Sequence, residues 1–327
     1  GDLGPDERLE LLAHHYGHSG NRAKQRAYLR LAGDRAAARF AADTARMHYR
    51  RLLALLEPAE RPPIFLALGQ VLALKGSWAE AEALYRELLA LAAQQQDHLL
   101  IARAWYELSN IMSNHGRHEA ALDYTAEAEI HCKDRDRRLW VQILIRRGWT
   151  LSYCGRIREA LGVAERAVVL SAATADQRLI TQTLRLEGYM NTLLGTYDKA
   201  MEAFRRALAI VQRLGLREDE ARFFNVMGEA ERQRGDAAAA AELYRSALAI
   251  GRELHHPERL TMYLSNMGGA LVDLGLFHEA RELLEEALQL AESTTWYGIA
   301  ETERFLAEAR AGLGDRAGAY AAALSSL

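Results

Sequence analysis

The sequence predicts an all-α fold, specifically a solenoid of antiparallel helix pairs. Its 327 residues include only 5 Pro against 24 Gly, with 50% hydrophobic and 26% charged residues. Such a composition is poor in helix breakers and favours long helices. A glycine recurs every 39 or 40 residues, and an alanine follows each one after five residues. A fixed period of this length is the signature of a repeat architecture.

Seven glycines mark the repeat. They are Gly76, Gly116, Gly155, Gly195, Gly235, Gly275 and Gly314. The alanines five positions later are Ala81, Ala121, Ala160, Ala200, Ala240, Ala280 and Ala319. Small residues stand seven positions before each glycine, at Gly69, Ser109, Gly148, Gly188, Gly228, Gly268 and Ala307. The positions twelve after it hold Leu88, Ala128, Ala167, Ala207, Ala247, Ala287 and Ser326.

Close helix packing explains these columns. In each unit a first helix runs up to the glycine, which adopts a conformation that other residues reach only with strain, and a second helix folds back. Two helix axes that approach to about 8–10 Å require small residues at the contact. Larger residues such as Phe204, Leu208 and Val211 fill the remaining core at helical spacing.

The order of small residue, glycine, alanine and small residue resembles the tetratricopeptide repeat (TPR), and Trp105 and Leu108 fit its large first-helix positions. The resemblance covers about residues 61–327, as seven repeats. It implies a right-handed superhelix whose first helices line a concave groove. The period of about 40 exceeds the usual 34. It therefore predicts longer helices of about 17 residues, roughly 25 Å each.

The first 60 residues are less regular and are interpreted as two degenerate helix pairs that cap the array. The break before the regular repeats is marked by Pro58, Pro62 and Pro63. The residues of this segment on which its resemblance to known proteins rests are His14, His15, Gly20, Ala32, Gly33 and Asp34. It resembles the junction in large bacterial regulators where a P-loop ATPase module, of the AAA or signal-transduction type, leads into a TPR array. Some of these carry a cyclase, kinase or DNA-binding domain elsewhere. Because the chain begins at Gly1 without Met, we expect it to be a piece of such a protein.

The charge balance excludes some partners. With 41 basic and 44 acidic residues, the formal charge of -3 gives no whole-chain field for nucleic acid or an anionic membrane. The first residues show no basic and apolar pattern, and no apolar run is long enough to span a bilayer, so we expect neither secretion nor a membrane span. Cys132 and Cys154 cannot form a disulfide framework, so we expect a cytoplasmic protein.

Catalytic, metal and cofactor motifs are not found in the sequence, which predicts a protein that is not an enzyme. It contains neither the P-loop nor the dinucleotide-binding pattern. His14 and His18 have a spacing compatible with one metal ion, but we interpret them as turn histidines. His118 and His278 each precede Glu without completing the H-E-x-x-H pattern. Adjacent carboxylates such as Glu285 and Glu286 point about 100° apart on a helix and solvate its outer face.

The resemblance implies a binding groove from Arg103 to Gln233, lined by first-helix residues 13, 10, 6, 3 and 2 positions before each repeat glycine. The predicted partner-binding residues are Arg103, Tyr106, Asn110, Asn114, Trp149, Tyr153, Arg185, Tyr189, Arg222, Asn225, Glu229 and Arg232. Arginine, asparagine and aromatic side chains suit an extended peptide. The alternative is that the aromatics pack between neighbouring first helices. A carboxylate clamp for chaperone C-termini is not expected, since Tyr106 occupies the position where such a clamp has its first lysine.

The sequence therefore predicts a protein-interaction scaffold, the sensor or effector arm of a larger ATPase, with a protein or peptide as partner. The ATPase module of its own parent chain is one candidate for that partner. One alternative is a small-molecule sensor in which Trp149, Tyr153, Tyr189 and Arg185 enclose a ligand, which a closed apolar cavity of ~300 Å³ would favour. Another is self-association through the weakly polar stretch from Ala317 to Leu324.

Overall fold

The computed structural model describes residues 9, 11–13, 15–16, 20–292 and 298–326. The described residues form helices and turns, with no strand among them, which confirms the predicted all-α solenoid class. The chain divides into two compact units, Gly1–Cys154 and Gly155–Leu327, called unit 1 and unit 2 below.

Unit 1 contains seven described α-helices and one short 3-10 helix, Pro58–Glu60. The α-helices are α1 (Arg22–Ala38), α2 (Ala42–Leu53), α3 (Pro62–Leu74), α4 (Trp78–Gln95), α5 (His98–Asn114), α6 (His118–Cys132) and α7 (Arg137–Tyr153). Unit 2 contains nine described α-helices. They are α8 (Ile157–Ala172), α9 (Gln177–Leu193), α10 (Tyr197–Arg213), α11 (Arg217–Arg234), α12 (Ala237–Leu254), α13 (Pro257–Asp273), α14 (Phe277–Ala291), α15 (Ile299–Gly312) and α16 (Arg316–Ser325). Most have 15 to 18 residues, as the period predicts.

Aspartates begin several of the first helices. The Asp97 carboxylate accepts a hydrogen bond from the Leu100 amide at 3.0 Å, and Asp136 does the same for Leu139. A carboxylate in this place satisfies an amide that has no partner within the helix, and it also interacts favourably with the helix dipole. The same cap recurs at Asn21, Asp176, Asp236 and Asp315. These side chains fix the start of the six helices that they precede.

The repeat glycines end the first helices. Gly235 has φ of 97°, and the following amide, of Asp236, donates to the Glu231 carbonyl at 2.9 Å. This left-handed turn closes the helix and directs the chain into the next one. Between α1 and α2 the equivalent position holds Phe40, with φ of 59°.

In several helix pairs the small residue seven positions before the glycine makes room for a ring from the second helix, whereas Gly268 faces Leu284. A Cβ atom on Gly188 would lie 2.3 Å from Cε1 of Phe204, and one on Gly69 would lie 2.3 Å from Cζ of Tyr85. The ring therefore occupies the space that any side chain at that position would need. Between α5 and α6 both partners change together, to Ser109 and Thr125.

The predicted alanine column lies in the core. The six alanines from Ala81 to Ala280 are fully buried, whereas Ala319 in the last pair is half-buried. Unit 1 buries Tyr49 and Tyr85, while unit 2 buries Phe204 and Phe305 among its largest side chains. No helix in the described part of the chain is long and apolar enough to cross a bilayer.

Candidate functional site

Four of the predicted binding residues lie on one stripe of α11 in unit 2. Arg222, Asn225, Glu229 and Arg232 follow one another at intervals of three, four and three residues. At 100° per residue these intervals keep all four on one face of the helix. The stripe forms a wall of two cavities in unit 2.

The first cavity has a volume of about 510 Å³ and lies between α9 and α11. It is half-open to solvent, and its wall is equally polar and apolar. Its lining residues are Arg178, Thr181, Gln182, Arg185, Gly215, Leu216, Arg217, Glu218, Asp219, Arg222, Phe223 and Leu254. Four arginines against two carboxylates make this the basic cavity. Arg185 and Arg222, both predicted from the sequence, are brought together here.

Ion pairs hold the wall of the basic cavity in place. The Arg222 guanidinium lies 3.1 Å from Asp219 and 3.6 Å from Glu218, on the preceding turn of α11. Glu218 also contacts Arg259 of α13 at 2.7 Å. Arg217 is paired with Glu220 and with Glu253, neither of which lines the cavity. Arg217 and Arg222 are therefore positioned by carboxylates, and the four arginines of the lining outnumber its two carboxylates.

The second cavity has a volume of about 540 Å³ and lies between α11 and α13. Its lining residues are Asn225, Glu229, Arg232, Gln233, Tyr244, Met262, Asn266, Asp273, Gly298 and Glu301. Three carboxylates against one arginine make this the acidic cavity. Asn225, Glu229 and Arg232 of the sequence prediction all lie here.

Arg232 is held firmly on the rim of the acidic cavity. Its Nε donates to Asp273 Oδ2 at 2.6 Å and a terminal nitrogen donates to Oδ1 at 3.4 Å. The guanidinium also lies 4.6 Å from the centre of the Phe305 ring. A forked ion pair together with an aromatic contact fixes a planar guanidinium more tightly than one hydrogen bond does.

Glu229 is a carboxylate of the acidic cavity whose pKa is raised. Burial raises the pKa of its carboxyl, the negative charge of Glu301 raises it further, and Arg232 opposes the change. Gln233 donates to Glu229 Oε1 at 3.3 Å. A partly desolvated carboxylate gains from a cation that enters the cavity, because the cation restores the stabilisation that water no longer supplies.

An amide pair joins the two first helices beneath this site. Asn266 Nδ2 donates to Asn225 Oδ1 at 2.8 Å, and Asn225 is only 4% exposed. Asn225 therefore lines the cavity as part of its floor. Its role in binding is restricted to the edge of the amide that faces the cavity.

In unit 1 the predicted residues of α5 surround a buried acid. Glu107 is 6% exposed, and Arg103 Nε lies 3.3 Å from its carboxylate. Asn110 donates to the same carboxylate at 3.2 Å, and Arg103 also donates to Gln142 of α7 at 3.3 Å. Arg103 is thus engaged in structural contacts between first helices. Tyr106 is half-buried with the Arg103 guanidinium over its ring at 5.5 Å.

The other predicted residues of unit 1 are more exposed. Asn114 ends α5 and is exposed, and Tyr153 ends α7 with 61% of its surface exposed. The Tyr153 ring stacks on His118 at 5.2 Å between centroids. Trp149 is half-buried on α7. Tyr153 therefore offers an aromatic face at the end of its helix.

The four residues predicted to enclose a small molecule are divided between the units. Trp149 and Tyr153 belong to unit 1, while Arg185 and the half-buried Tyr189 belong to unit 2. That grouping stays a prediction, as does the continuous groove from Arg103 to Gln233.

Metal-binding side chains are not clustered in the part of the chain that the structure describes, where three or more His, Cys, Asp or Glu never converge on one point. His14 and His18, the pair with metal-compatible spacing, lie outside the described residues. Cys132 is buried and Cys154 is half-buried.

The sequence analysis missed more than half of the residues that line the acidic cavity. Met262 and Asp273 stand 13 and 2 positions before Gly275, and Glu301 stands 13 before Gly314. The offsets used for the earlier repeats would have identified all three. It also missed a cavity of about 530 Å³ in unit 1, between α2, α3 and α4, whose wall includes the ion pair of Arg50 and Glu80.

Comparison with known families gives matches over most of the repeat region. One family model, described as "Tetratricopeptide repeat", matches residues 61–129 and 179–253. A second model with the same description matches residues 260–294. A search of curated protein sequences gave no significant match.

Solved structures share the fold at low sequence identity. A Signal Transduction ATPase with Numerous Domains (STAND) protein with a tetratricopeptide repeat sensor, from Pyrococcus horikoshii, aligns with a TM-score of 0.71 and 17% identity. The alignment covers 99% of this chain and 50% of that one, so this chain spans about half its length. A Rap protein complexed with Competence and Sporulation Factor aligns over 97% of this chain and 86% of that one, with a TM-score of 0.59 and 15% identity. BtubC from P. vanneervenii aligns over 68% of this chain and 92% of that one, with a TM-score of 0.58 and 21% identity.

Proposed function

The chain belongs to the tetratricopeptide repeat (TPR) family, and from this premise we propose that it binds a peptide or protein segment on the faces of its first helices. The observation that carries the proposal is the stripe of Arg222, Asn225, Glu229 and Arg232, which forms one wall of two adjoining cavities in unit 2. Guanidinium, amide and carboxylate groups on a rigid helix are typical of surfaces that bind an extended chain.

The shape and polarity of the cavities favour a segment over an enclosed small molecule. Both cavities exceed the ~300 Å³ expected for a small-molecule pocket. Both are also half-open and mixed in polarity, whereas a small-molecule pocket is mostly apolar and surrounds its ligand. The volume alone supports the small-molecule alternative, and the openness supports the peptide.

We further propose that the chain is the sensor arm of a larger signalling ATPase. The support is the alignment of 99% of this chain with half of a STAND protein that has a TPR sensor. In that role, occupancy of the first-helix faces would regulate nucleotide hydrolysis elsewhere in the parent protein. The binding proposal stands independently of this second one.

Calorimetry with an isolated partner tests the binding proposal. Partners retained by the immobilised chain are identified, and their affinity is compared for the native chain and for the double variant Arg185→Glu/Arg222→Glu. We expect a loss of about tenfold or more, because both substitutions place a carboxylate where the partner meets a guanidinium. The control is Arg158→Glu/Arg205→Glu, two exposed arginines on the second helices α8 and α10. Equal affinities for all three proteins would remove the proposal.

The ATPase proposal is tested on the full-length reading frame. A P-loop upstream of Gly1 and ATP hydrolysis that responds to the partner would support it. Hydrolysis that is unchanged by Arg185→Glu/Arg222→Glu, in a protein that still binds nucleotide, would contradict it.

Self-association through the last pair is a further proposal. On α16, Tyr320 and Leu324 are four residues apart, and 69% and 53% of their surfaces are exposed. Residues four apart share a helix face, so the two form an apolar edge. Light scattering over a concentration series should show dimers that Tyr320→Glu/Leu324→Glu abolishes. A constant monomer mass would exclude this interface.

A further inference from the structure

The two cavities of unit 2 have opposite charge. The basic cavity has four arginines and two carboxylates in its lining, and the acidic cavity has three carboxylates and one arginine. Both are lined by α11, with Arg222 on the wall of the first and Glu229 on the wall of the second. One ligand that lies along α11 therefore meets a positive and then a negative field.

The spacing between these charges selects a ligand of defined geometry. Arg222 and Glu229 are seven residues apart, which is about 10.5 Å along the helix axis. A polyproline II segment has three residues per turn and rises about 3.1 Å per residue, so its residues i and i+3 point to the same side about 9.3 Å apart. In a β-strand the residues that share a side are two or four apart, at about 6.7 or 13 Å. Of these two extended conformations, polyproline II has the spacing that is closer to the separation of Arg222 and Glu229.

The contacts within each cavity agree with this order of charges. Arg222 is oriented by Asp219 and Glu218, which also line the cavity, and Arg185 lines the same space from α9. A ligand carboxylate at this position gains the guanidinium of Arg222, which is already placed, and that of Arg185. In the acidic cavity, Arg232 is occupied by Asp273, while the negative charge of Glu301 repels that of Glu229 and raises the pKa of the Glu229 carboxyl. A ligand cation there relieves that repulsion.

We propose that unit 2 binds an extended segment that carries an acidic residue and, about three residues away, a basic residue. The acidic side chain enters the basic cavity near Arg185 and Arg222. The basic side chain enters the acidic cavity near Glu229 and Glu301. This inference rests on the proposed function, because it specifies which segment the first-helix faces take.

Selection from a random library of twelve-residue peptides, displayed against the whole chain, tests the inference. We expect the retained peptides to be enriched in pairs of one acidic and one basic residue that are three residues apart. Pairs that are two or four residues apart, and pairs of like charge, should be less frequent. Calorimetry with the most enriched peptide should show an affinity loss of about tenfold or more when either charge of the peptide is neutralised.

Variants of the chain assign each charge to its cavity. The variant Arg185→Glu/Arg222→Glu should select a basic residue in place of the acidic residue of the peptide, and its preference for the second, basic residue should not change. The variant Glu229→Lys should select an acidic residue in place of the basic one and should keep the preference for the first, acidic residue. The neutral variants Arg185→Gln/Arg222→Gln and Glu229→Gln should lose one preference each, without adding repulsion to the folded chain. Arg158→Glu/Arg205→Glu, on the second helices, should select the same peptides as the native chain.

The outcomes separate this inference from the proposed function. If peptides are retained but show no acid and base at this separation, the inference is overturned and peptide binding stands. The same holds if the charge-reversed variants keep the native preferences. If the native chain retains no peptide better than the Arg185→Glu/Arg222→Glu variant does, both proposals fail.

Discussion

Ser265 donates a hydrogen bond to the Thr302 hydroxyl oxygen over 2.7 Å, from α13 to the next first helix, α15. The direction follows from the second bond of Thr302, whose only hydroxyl proton is donated to the Gly298 carbonyl at 3.0 Å. Both side chains are almost completely buried, at 2% and 0% exposed. The pair therefore joins two repeats through a bond that water cannot replace.

Thr302→Val should destabilise the chain by about 1–3 kcal/mol, since it leaves the buried Ser265 hydroxyl without an acceptor. Ser265→Ala/Thr302→Val should recover part of that loss, because both polar groups are then removed. Urea denaturation of the two single variants and the double variant measures the coupling. Strictly additive effects would show that the two hydroxyls do not depend on each other.

Gly188→Ala should destabilise the chain by about 1–3 kcal/mol, because its Cβ would overlap the Phe204 ring. Gly162, in the middle of α8, is the matched control, since a Cβ there would meet nothing within 4 Å. Gly162→Ala should raise stability by about 0.5–1 kcal/mol through helix propensity. Denaturation curves that move in the same direction for both variants would contradict the packing explanation.

Phe40→Gly should raise stability by about 1–2 kcal/mol, because Phe40 adopts the left-handed conformation that glycine reaches without strain. Little packing is lost, as 84% of the Phe40 surface is exposed. Gly195 has φ of 73° and open space around it, so Gly195→Ala should lower stability by a similar amount. Thermal denaturation gives both values, and a loss of stability in Phe40→Gly would refute this account.

Glu229→Gln should stabilise the chain at neutral pH and have a smaller effect at pH 4. The folded carboxyl has a pKa above its ordinary value of 4.5, so between the two values the folded chain binds more protons than the unfolded chain. The contribution of this group to stability is therefore greatest below about pH 4.5 and falls as the pH rises through the folded pKa. Melting temperatures at pH 4 and pH 7 test this.

Glu242→Gln is the control for that experiment, since Glu242 is 75% exposed and paired with Arg245. Its effect should stay within about 0.5 kcal/mol at both pH values. A stabilisation by Glu229→Gln that is equal at pH 4 and pH 7 would exclude the proposed titration.

Native protein at pH 8 should react with a thiol reagent at Cys154 alone. Burial raises the pKa of the Cys132 thiol to about 11, and its Sγ donates to the Asp136 carbonyl at 3.1 Å. Its thiolate is therefore scarce and shielded. Absorbance should report one fast thiol in the native state and two after unfolding. Rapid labelling of native Cys154→Ser would refute the prediction.

The sequence alone was sufficient to predict the repeat, because the residues that define each repeat act locally. The turn at Gly235 and the buried Ala240 follow from helix endings and close packing, which need no knowledge of distant residues. The ring that fills the space over Gly188 was not predicted, since nothing in the spacing says that Phe204 points at that glycine.

The candidate site was predicted less completely than the fold. Arg185 and Arg222 do line one cavity, as the repeat offsets implied. Asn225 is buried beneath an amide pair, and Arg103 is bound to Glu107 and Gln142. Such pairings depend on how side chains of successive repeats meet, which periodicity does not encode.

The glycine and the ring above it belong to the same helix pair, whether Gly33 with Tyr49, Gly69 with Tyr85, Gly188 with Phe204 or Gly228 with Tyr244. In these four pairs, both halves of this contact therefore lie within one pair. A stretch of DNA that encodes one whole pair can be duplicated or deleted without creating a clash inside any other pair. An exchange that moved one helix alone would separate a ring from its glycine, so inheritance of this array favours insertions and losses in steps of about forty residues.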